Sequence, residues 1–270
     1  MTALPFAATT PVSVSRVGLK AADAETLARF YKHLLGLTET RREGSAIGLG
    51  AAGRELLEIE QVAGLKRDDP RSAGLFHTAF LFPERADLAR WTGHARAESI
   101  RITGASDHLV SEAIYLDDPE GNGIEIYADR AREAWPRQGD EIRMATNPLD
   151  FASLMGSVGG DPSGWTGSPE GTVIGHVHLR VGDVRDAERW WNSEMGFETM
   201  VNYGDAATFL ATGGYHHHVG ANMWGSRGAG RRDPDRAGLA FVEFEAQDGA
   251  RPTLHDPWGT EIRTVARAAA

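Results

Sequence analysis

Internal repeats constrain this chain more than any other feature of its sequence. The segments "SRVGLKAADAETLARFYKHLLGL" and "GHVHLRVGDVRDAERWWNSEMGF" share one punctuation: Arg16 lies 7 residues before Asp23, and His176 lies 7 before Asp183. Each aspartate is followed 13 positions later by a glycine, Gly36 or Gly196. That spacing predicts a strand, a helix opened by an Asp N-cap, and a glycine stop. Leu27, Phe30, Tyr31, Leu34 and Leu35 recur at helical intervals and give the first helix a core-facing stripe.

A second repeat sits elsewhere. "YLDDPEGNGIEIY" (115–127) and "TLHDPWGTEIRTV" (253–265) both read as strand, Asp-Pro-x-Gly turn, and strand carrying a glutamate, Glu125 or Glu261. "GLFHTAFLFPERADLARW" (74–91) reads as strand then helix, whereas "GLAFVEFEA" is followed too closely by its strand pair to fit one. The chain therefore reads as an α+β protein of four tandem βαβββ modules, at roughly 13–62, 74–130, 172–226 and 237–267, the last truncated. One such module leaves its sheet half covered, so modules are expected to pair into curved mixed β-sheets forming a cup, with helices outside. Along the chain this gives an N-terminal part (1–130, two modules), a Gly-, Pro- and Ser-rich linker (131–171) in which "DFASLM" suits a helical turn, and a C-terminal part (172–270).

Composition narrows the function classes. A net charge of −10 without a basic run argues against a nucleic-acid surface. No cysteine is present, so disulfides and thiolate ligands are excluded, which suits a reducing cytoplasm. "MTALPFAATTPVSV" lacks the charged and apolar regions of a signal peptide, and no stretch approaches the about 18 apolar residues of a spanning helix. The expectation is a cytoplasmic protein with no membrane contact.

Strand alternation sorts the side chains by face. In "GHVHLRV", Val177, Leu179 and Val181 form the helix-facing set, leaving His176, His178 and Arg180 for the cup. In "GIEIYAD", Ile124 and Ile126 face the helix while Glu125 and Tyr127 face the cup. His77 is the lone imidazole in an apolar strand. In "GGYHHHVGANMW" (213–224), alternation puts His216, His218, Gly220 and Asn222 on one face, opposite His217, Val219 and Ala221. The three consecutive histidines therefore cannot all meet one ion.

The repeated module, "GHVHLRVGD" and "DPEGNGIEIYAD" resemble the vicinal-oxygen-chelate superfamily of glyoxalases, bleomycin-resistance proteins and extradiol dioxygenases. With "YHHHVG" and "SDHLVSEAIYLDDPEGNGIEIYAD" the chain looks most like the bacterial catechol 2,3-dioxygenases. The resemblance runs over nearly the whole chain except the truncated module. It implies metal ligands on the first strand of each module and on glutamate-bearing last strands. The first-strand positions are Arg16, His77, His176 and Leu239, so only a pairing of modules two and three gives two histidines and a carboxylate: His77, His176 and Glu125. That donor set suits non-haem Fe2+, with Mn2+ as the alternative. Glu261 lacks histidine partners and reads as a structural relic; His33, His94 and His255 read as surface or packing residues.

The run from His108 through Tyr115 and Asp118-Pro119-Glu120-Gly121 to Glu125 resembles the extradiol signature, departing from it at Ser106, two residues before the histidine. "HHVGA" resembles the paired-histidine strand whose second member is the acid/base, here His218; histidine titrates near neutrality and suits that work. The resemblance implies Tyr115 and His108 as groups that bind substrate oxygens. His178, His216 and Asn222 are placed as pocket or supporting residues, with Trp224 as an aromatic wall or core residue. The implied activity is ring cleavage of a catechol-type diol by O2 to a muconic semialdehyde, in a protein that self-associates. The competing readings are a glyoxalase-like lyase or isomerase using another metal, a hydroquinone-cleaving dioxygenase, and a metal-free binding protein.

Overall fold

The computed structural model describes residues 3–139, 141–159 and 164–268. The N-terminal reading above touches residues 1 and 2, and the 131–171 segment contains residues 140 and 160–163; those positions lie outside the described residues.

The four modules form as the repeats imply. The first comprises β1 (Val12–Ala21), α1 (Ala24–Leu35), β2 (Thr38–Glu43), β3 (Ala46–Ala51) and β4 (Arg54–Gln61). The second comprises β5 (Gly74–Phe82), α2 (Arg85–Ala97), β6 (Gly104–Asp107), β7 (Ser111–Asp117) and β8 (Gly123–Asp129). The connecting segment holds short strands β9 (Arg137–Gln138), β10 (Glu141–Ile142) and β11 (Asn147–Pro148), then helix α3 (Phe151–Gly156), which covers the "DFASLM" turn. The third module is β12 (Val173–Arg180), α4 (Val184–Met195), β13 (Glu198–Tyr203), β14 (Ala207–Ala211) and β15 (Val219–Asn222). The fourth is β16 (Gly238–Ala246), β17 (Arg251–His255) and β18 (Glu261–Ala266), with no helix between β16 and β17.

The predicted caps are present. The Asp23 side chain accepts from the Thr26 amide at the start of α1, and Asp183 accepts from the amides of Arg185 and Asp186 at the start of α4. Gly36 and Gly196 close those helices at φ 64° and 70°, left-handed values that glycine adopts without a Cβ clash.

Modules two and three share one nine-stranded sheet, in the order β11-β6-β7-β8-β5-β12-β15-β14-β13. Modules one and four share a seven-stranded sheet, β17-β18-β16-β1-β4-β3-β2. The seams are antiparallel, β5 against β12 and β1 against β16. Each sheet thus takes one module from either side of the connecting segment, so residues 1–130 and 172–270 each contribute to both sheets. A continuous core runs through both: Val177, Leu179, Val181, Ile124 and Ile126 join Leu27, Leu34, Trp91 and Trp191 of the helices and Phe244 of β16. Trp91 and Trp191 are fully buried, and truncating either to alanine removes about 3–5 kcal/mol of packing.

Alternation holds in β8 and β12 but not through the three histidines. β15 begins only at Val219, and residues 215–218 belong to no strand. The facing assigned to His217 and His218 by counting back from Gly220 is therefore reversed, with consequences at the site.

Candidate active site

His77 on β5, Glu125 on β8 and His176 on β12 come from three adjacent strands of the nine-stranded sheet. Glu125 Oε2 lies 3.0 Å from His77 Nε2 and 3.2 Å from His176 Nε2, and the three donor atoms lie within 4.8 Å of one another. All three side chains are buried. Register explains the convergence: β5 pairs with β8 in parallel, placing Ala79 beside Glu125, while an irregularity in β12 between Ile174 and His176 sets His176 opposite Ala79. Gly175, at that irregularity, has no room for a side chain, since a Cβ there would lie 1.8 Å from Tyr127 Oη.

The electrostatics suit an ion. Burial alone would raise the Glu125 carboxyl, but His176 and His77 outweigh it and hold the group well below the usual carboxylate range. Burial lowers His176 to about 4 against the pull of Glu125, so its imidazole is neutral and able to coordinate. His77 Nε2 has no well-directed hydrogen-bond partner although Glu125 is close. Two imidazole nitrogens and a carboxylate, buried and aimed at one another with an orphaned nitrogen among them, fit a divalent transition metal with open positions. Among the described residues this is the single cluster of three such donors.

The donors sit against a cavity of about 460 Å³ lined by Phe76, His77, Thr103, Gly104, Ser106, His108, Tyr115, Leu116, Asp117, Gly123, Ile124, Glu125, Met144, Thr146, His178, Tyr203, Phe209, His217 and Trp224. Tyr115 lies opposite Glu125 across the β7–β8 ladder. The His108 Nδ1–H donates to the Ala145 carbonyl at 2.7 Å, which leaves Nε2 to accept from the Tyr115 hydroxyl at 2.6 Å. Burial, then Glu125, raises the Tyr115 phenol well above its ordinary value, so it stays protonated.

His217, rather than His218, enters this cavity. Its ring centroid is 4.1 Å from that of His176 and 5.0 Å from Phe209. Burial, with His176 and His216 beside it, lowers its pKa well below the usual value. His218 turns to the opposite side and is fully buried beside Phe197 and Tyr215. Its Nε2 lies 3.0 Å from the Ala7 carbonyl and 3.1 Å from Thr10 Oγ1, and its Nδ1 accepts from the Thr212 amide at 3.4 Å. His218 is thus a satisfied core histidine, with its pKa lowered to about 3 by burial.

The remaining sequence candidates divide. His178 lines the cavity, with its buried Nε2 unpartnered, and Trp224 supplies an exposed wall. His216 does not line the cavity; it is buried behind His217 and bonded to it and to Asp129. Asn222 is buried but also lies off the lining, its Oδ1 accepting from the Trp224 amide. His33 and His94 contact each other and His94 stacks on Trp165, off the cavity lining, while His255 is exposed. Glu261 pairs with Arg263. In the seven-stranded sheet the position equivalent to His77 and His176 is Arg16, which contacts Glu55, Glu58 and Glu243.

Sequence reasoning missed His217, the walls Phe76, Phe209 and Tyr203, and Met144 and Thr146, which come from the segment read as a linker. Gly220 carried a usable signal: a Cβ there would lie 2.9 Å from the His178 ring, so that strand position faces a crowded cup.

Comparison with known proteins agrees with this architecture. Residues 13–126 match the family described as the Glyoxalase/Bleomycin resistance protein/Dioxygenase superfamily. Catechol-2,3-dioxygenase of Bacillus subtilis (strain 168) is 36% identical over 222 residues, covering 80% of this chain and 76% of that protein. Biphenyl-2,3-diol 1,2-dioxygenase 3 of Rhodococcus globerulus is 36% identical over 66 residues, 24% of this chain and 35% of that one. Among solved structures, glyoxalase I from Zea mays matches with TM-score 0.59 at 14% identity, over 97% of this chain and 94% of its own, a likeness of fold. A putative dioxygenase from Bacillus subtilis matches with TM-score 0.55 at 13% identity, over 96% of this chain and 86% of its own. The chain belongs to the glyoxalase/bleomycin resistance protein/dioxygenase superfamily.

Proposed function

We propose that this chain is an extradiol dioxygenase that cleaves a catechol-type ring beside its two hydroxyls at a non-haem Fe2+ site. The observation that carries the reading is the convergence of His77, His176 and Glu125 at a largely apolar cavity that also presents Tyr115, His108 and His217. These three donors would hold Fe2+, with Mn2+ as the alternative for the same ligand set. When bound, the metal supplies a common template and electron path for the diol and O2.

The chain's own groups do the rest. Neutral His217 removes a diol proton and returns it during ring opening, the role that the sequence alone gave to His218. The Tyr115 hydroxyl, oriented by His108, hydrogen-bonds a substrate oxygen and favours its anionic form. Phe76, Phe209 and Trp224 flank the ring and exclude water. Among the described residues no lysine or arginine lines the cavity, which suits uncharged ring substituents. The lack of cysteine suits a cytoplasmic setting, and the sheet-rich architecture suits self-association.

The test is aerobic mixing of iron-loaded protein with catechol. Oxygen uptake matched to a yellow ring-cleavage product is expected. Activity that follows added zinc with no oxygen uptake overturns the reading in favour of a lyase.

A further inference from the structure

Behind the cavity runs a chain of hydrogen bonds that the ring-cleavage reading does not use. Asp129, the last residue of β8, places Oδ1 2.9 Å from His216 Nε2, and His216 Nδ1 lies 2.8 Å from His217 Nδ1. His216 is fully buried and held between rings, its centroid 4.0 Å from Tyr215 and 5.2 Å from Trp135, so it cannot turn freely. Tyr215 also reaches Asp129, at 3.4 Å.

The directions of these bonds follow from donor chemistry. A carboxylate only accepts, so His216 Nε2 carries a hydrogen. Taken as a neutral imidazole with one N–H, His216 carries it on Nε2 and has a bare Nδ1. Two ring nitrogens 2.8 Å apart share a single hydrogen, and it must then belong to His217 Nδ1. Neutral His217 keeps its lone pair on Nε2, the nitrogen on the edge of the ring away from His216. We propose that Asp129 and His216 are positioning residues that fix His217 as the Nδ1–H tautomer, so that Nε2 meets the substrate as a base. The proposal rests on the reading of His217 as the proton-transfer group. A free neutral imidazole slightly prefers the other tautomer, so the arrangement needs an enforcing partner, and Asp129 acting through His216 supplies it.

The tautomer is measurable without substrate. In 15N-labelled, zinc-loaded protein, whose ion is diamagnetic, side-chain 1H–15N correlation is expected to show a protonated Nδ1 and a bare Nε2 on His217. Asp129→Asn keeps the size of the side chain but lets its amide donate to His216, which reverses both bonds. His217 is then expected to switch to Nε2–H. In the iron-loaded variant kcat for catechol should fall about tenfold or more while KM and iron content change less than about twofold. His216→Phe keeps the ring packing but cuts the chain, and should give mixed His217 tautomers; it serves equally if Asp129→Asn does not fold. A native His217 protonated at Nε2, a His217 tautomer unmoved by both substitutions, or a tautomer switch with unchanged kcat overturns the proposal. Because the spectra need no turnover, a native protein inactive on catechol would count against the dioxygenase reading and leave the tautomer claim to be decided by them.

Discussion

The placement of His218 in the core makes a quantitative demand on stability. Its Nδ1 accepts a hydrogen bond from the Thr212 amide, and its Nε2–H points to Ala7 O and Thr10 Oγ1. Adding a proton to Nδ1 would set two donors against each other in a fully buried site, so burial and bonding both oppose the charge. The native pKa is lowered to about 3, while an unfolded histidine sits near 6.5. The unfolded chain therefore binds this proton first. The stabilisation is complete above pH 6.5, is lost progressively as pH falls through that value, and stops falling only near the native pKa. Between pH 7.5 and 5.0 this one group should remove about 2 kcal/mol of unfolding free energy.

Other buried histidines add to the slope, so the assay is comparative. Urea unfolding of chelator-treated protein is followed at several pH values for the native chain and for His218→Gln, whose amide nitrogen can still donate to Ala7 O. The variant should lose less stability on acidification, by about 1.4 kcal/mol per pH unit below 6.5, the weight of one proton. Identical slopes in the two proteins would refute the core assignment and return His218 to consideration as an accessible base. Iron-loaded His218→Gln should also keep most of its ring-cleaving activity, because His218 does not line the cavity.

Further outcomes follow from the same geometry. His77→Ala, which removes one of three donors, should abolish stoichiometric metal binding, from one ion per native chain to none by elemental analysis. His217→Ala should retain the metal and lose about 100-fold or more in ring-cleavage rate, the range expected for a lost acid–base group. A diol carrying a carboxylate should be turned over far less efficiently than its methyl analogue in steady-state assays, since the described residues of the cavity include Glu125 and Asp117 but no lysine or arginine. Gly175→Ala should destabilise the fold by about 1–3 kcal/mol in urea melts, because the new Cβ must displace the buried Tyr127 hydroxyl 1.8 Å away.

How far the sequence revealed the site depended on local regularity. His176 and Glu125 sit in strands where alternating apolar neighbours, Val177 and Leu179 or Ile124 and Ile126, declare which face is buried under the helices. The repeats then aligned His77 with His176 and showed which modules had to meet. The same alternation failed at His217 and His218, because residues 215–218 form a loop and a loop imposes no two-residue period. Met144 and Thr146 were invisible for a related reason. Their segment has neither helical nor strand periodicity, yet tertiary packing folds it over the mouth of the cup. Regular elements were legible, and the irregular chain that completes the pocket was not.

The two sheets put the limits of fold-based argument within one molecule. Both are built from the same module and both curl around a cup, yet among the described residues only one gathers metal donors. Arg16 occupies the strand position that His77 and His176 hold in the other sheet, and Leu239 the fourth such position. Burial works against the Arg16 charge, but Glu55 and Glu243 outweigh it and raise its pKa, so those carboxylates are committed to a guanidinium and not offered to a cation. A part-buried arginine ties up the carboxylates of its cup, whereas two imidazoles beside a carboxylate leave theirs able to bind an ion. The backbone supplies the same positions in both cups, and the chemistry is decided by which side chains stand there.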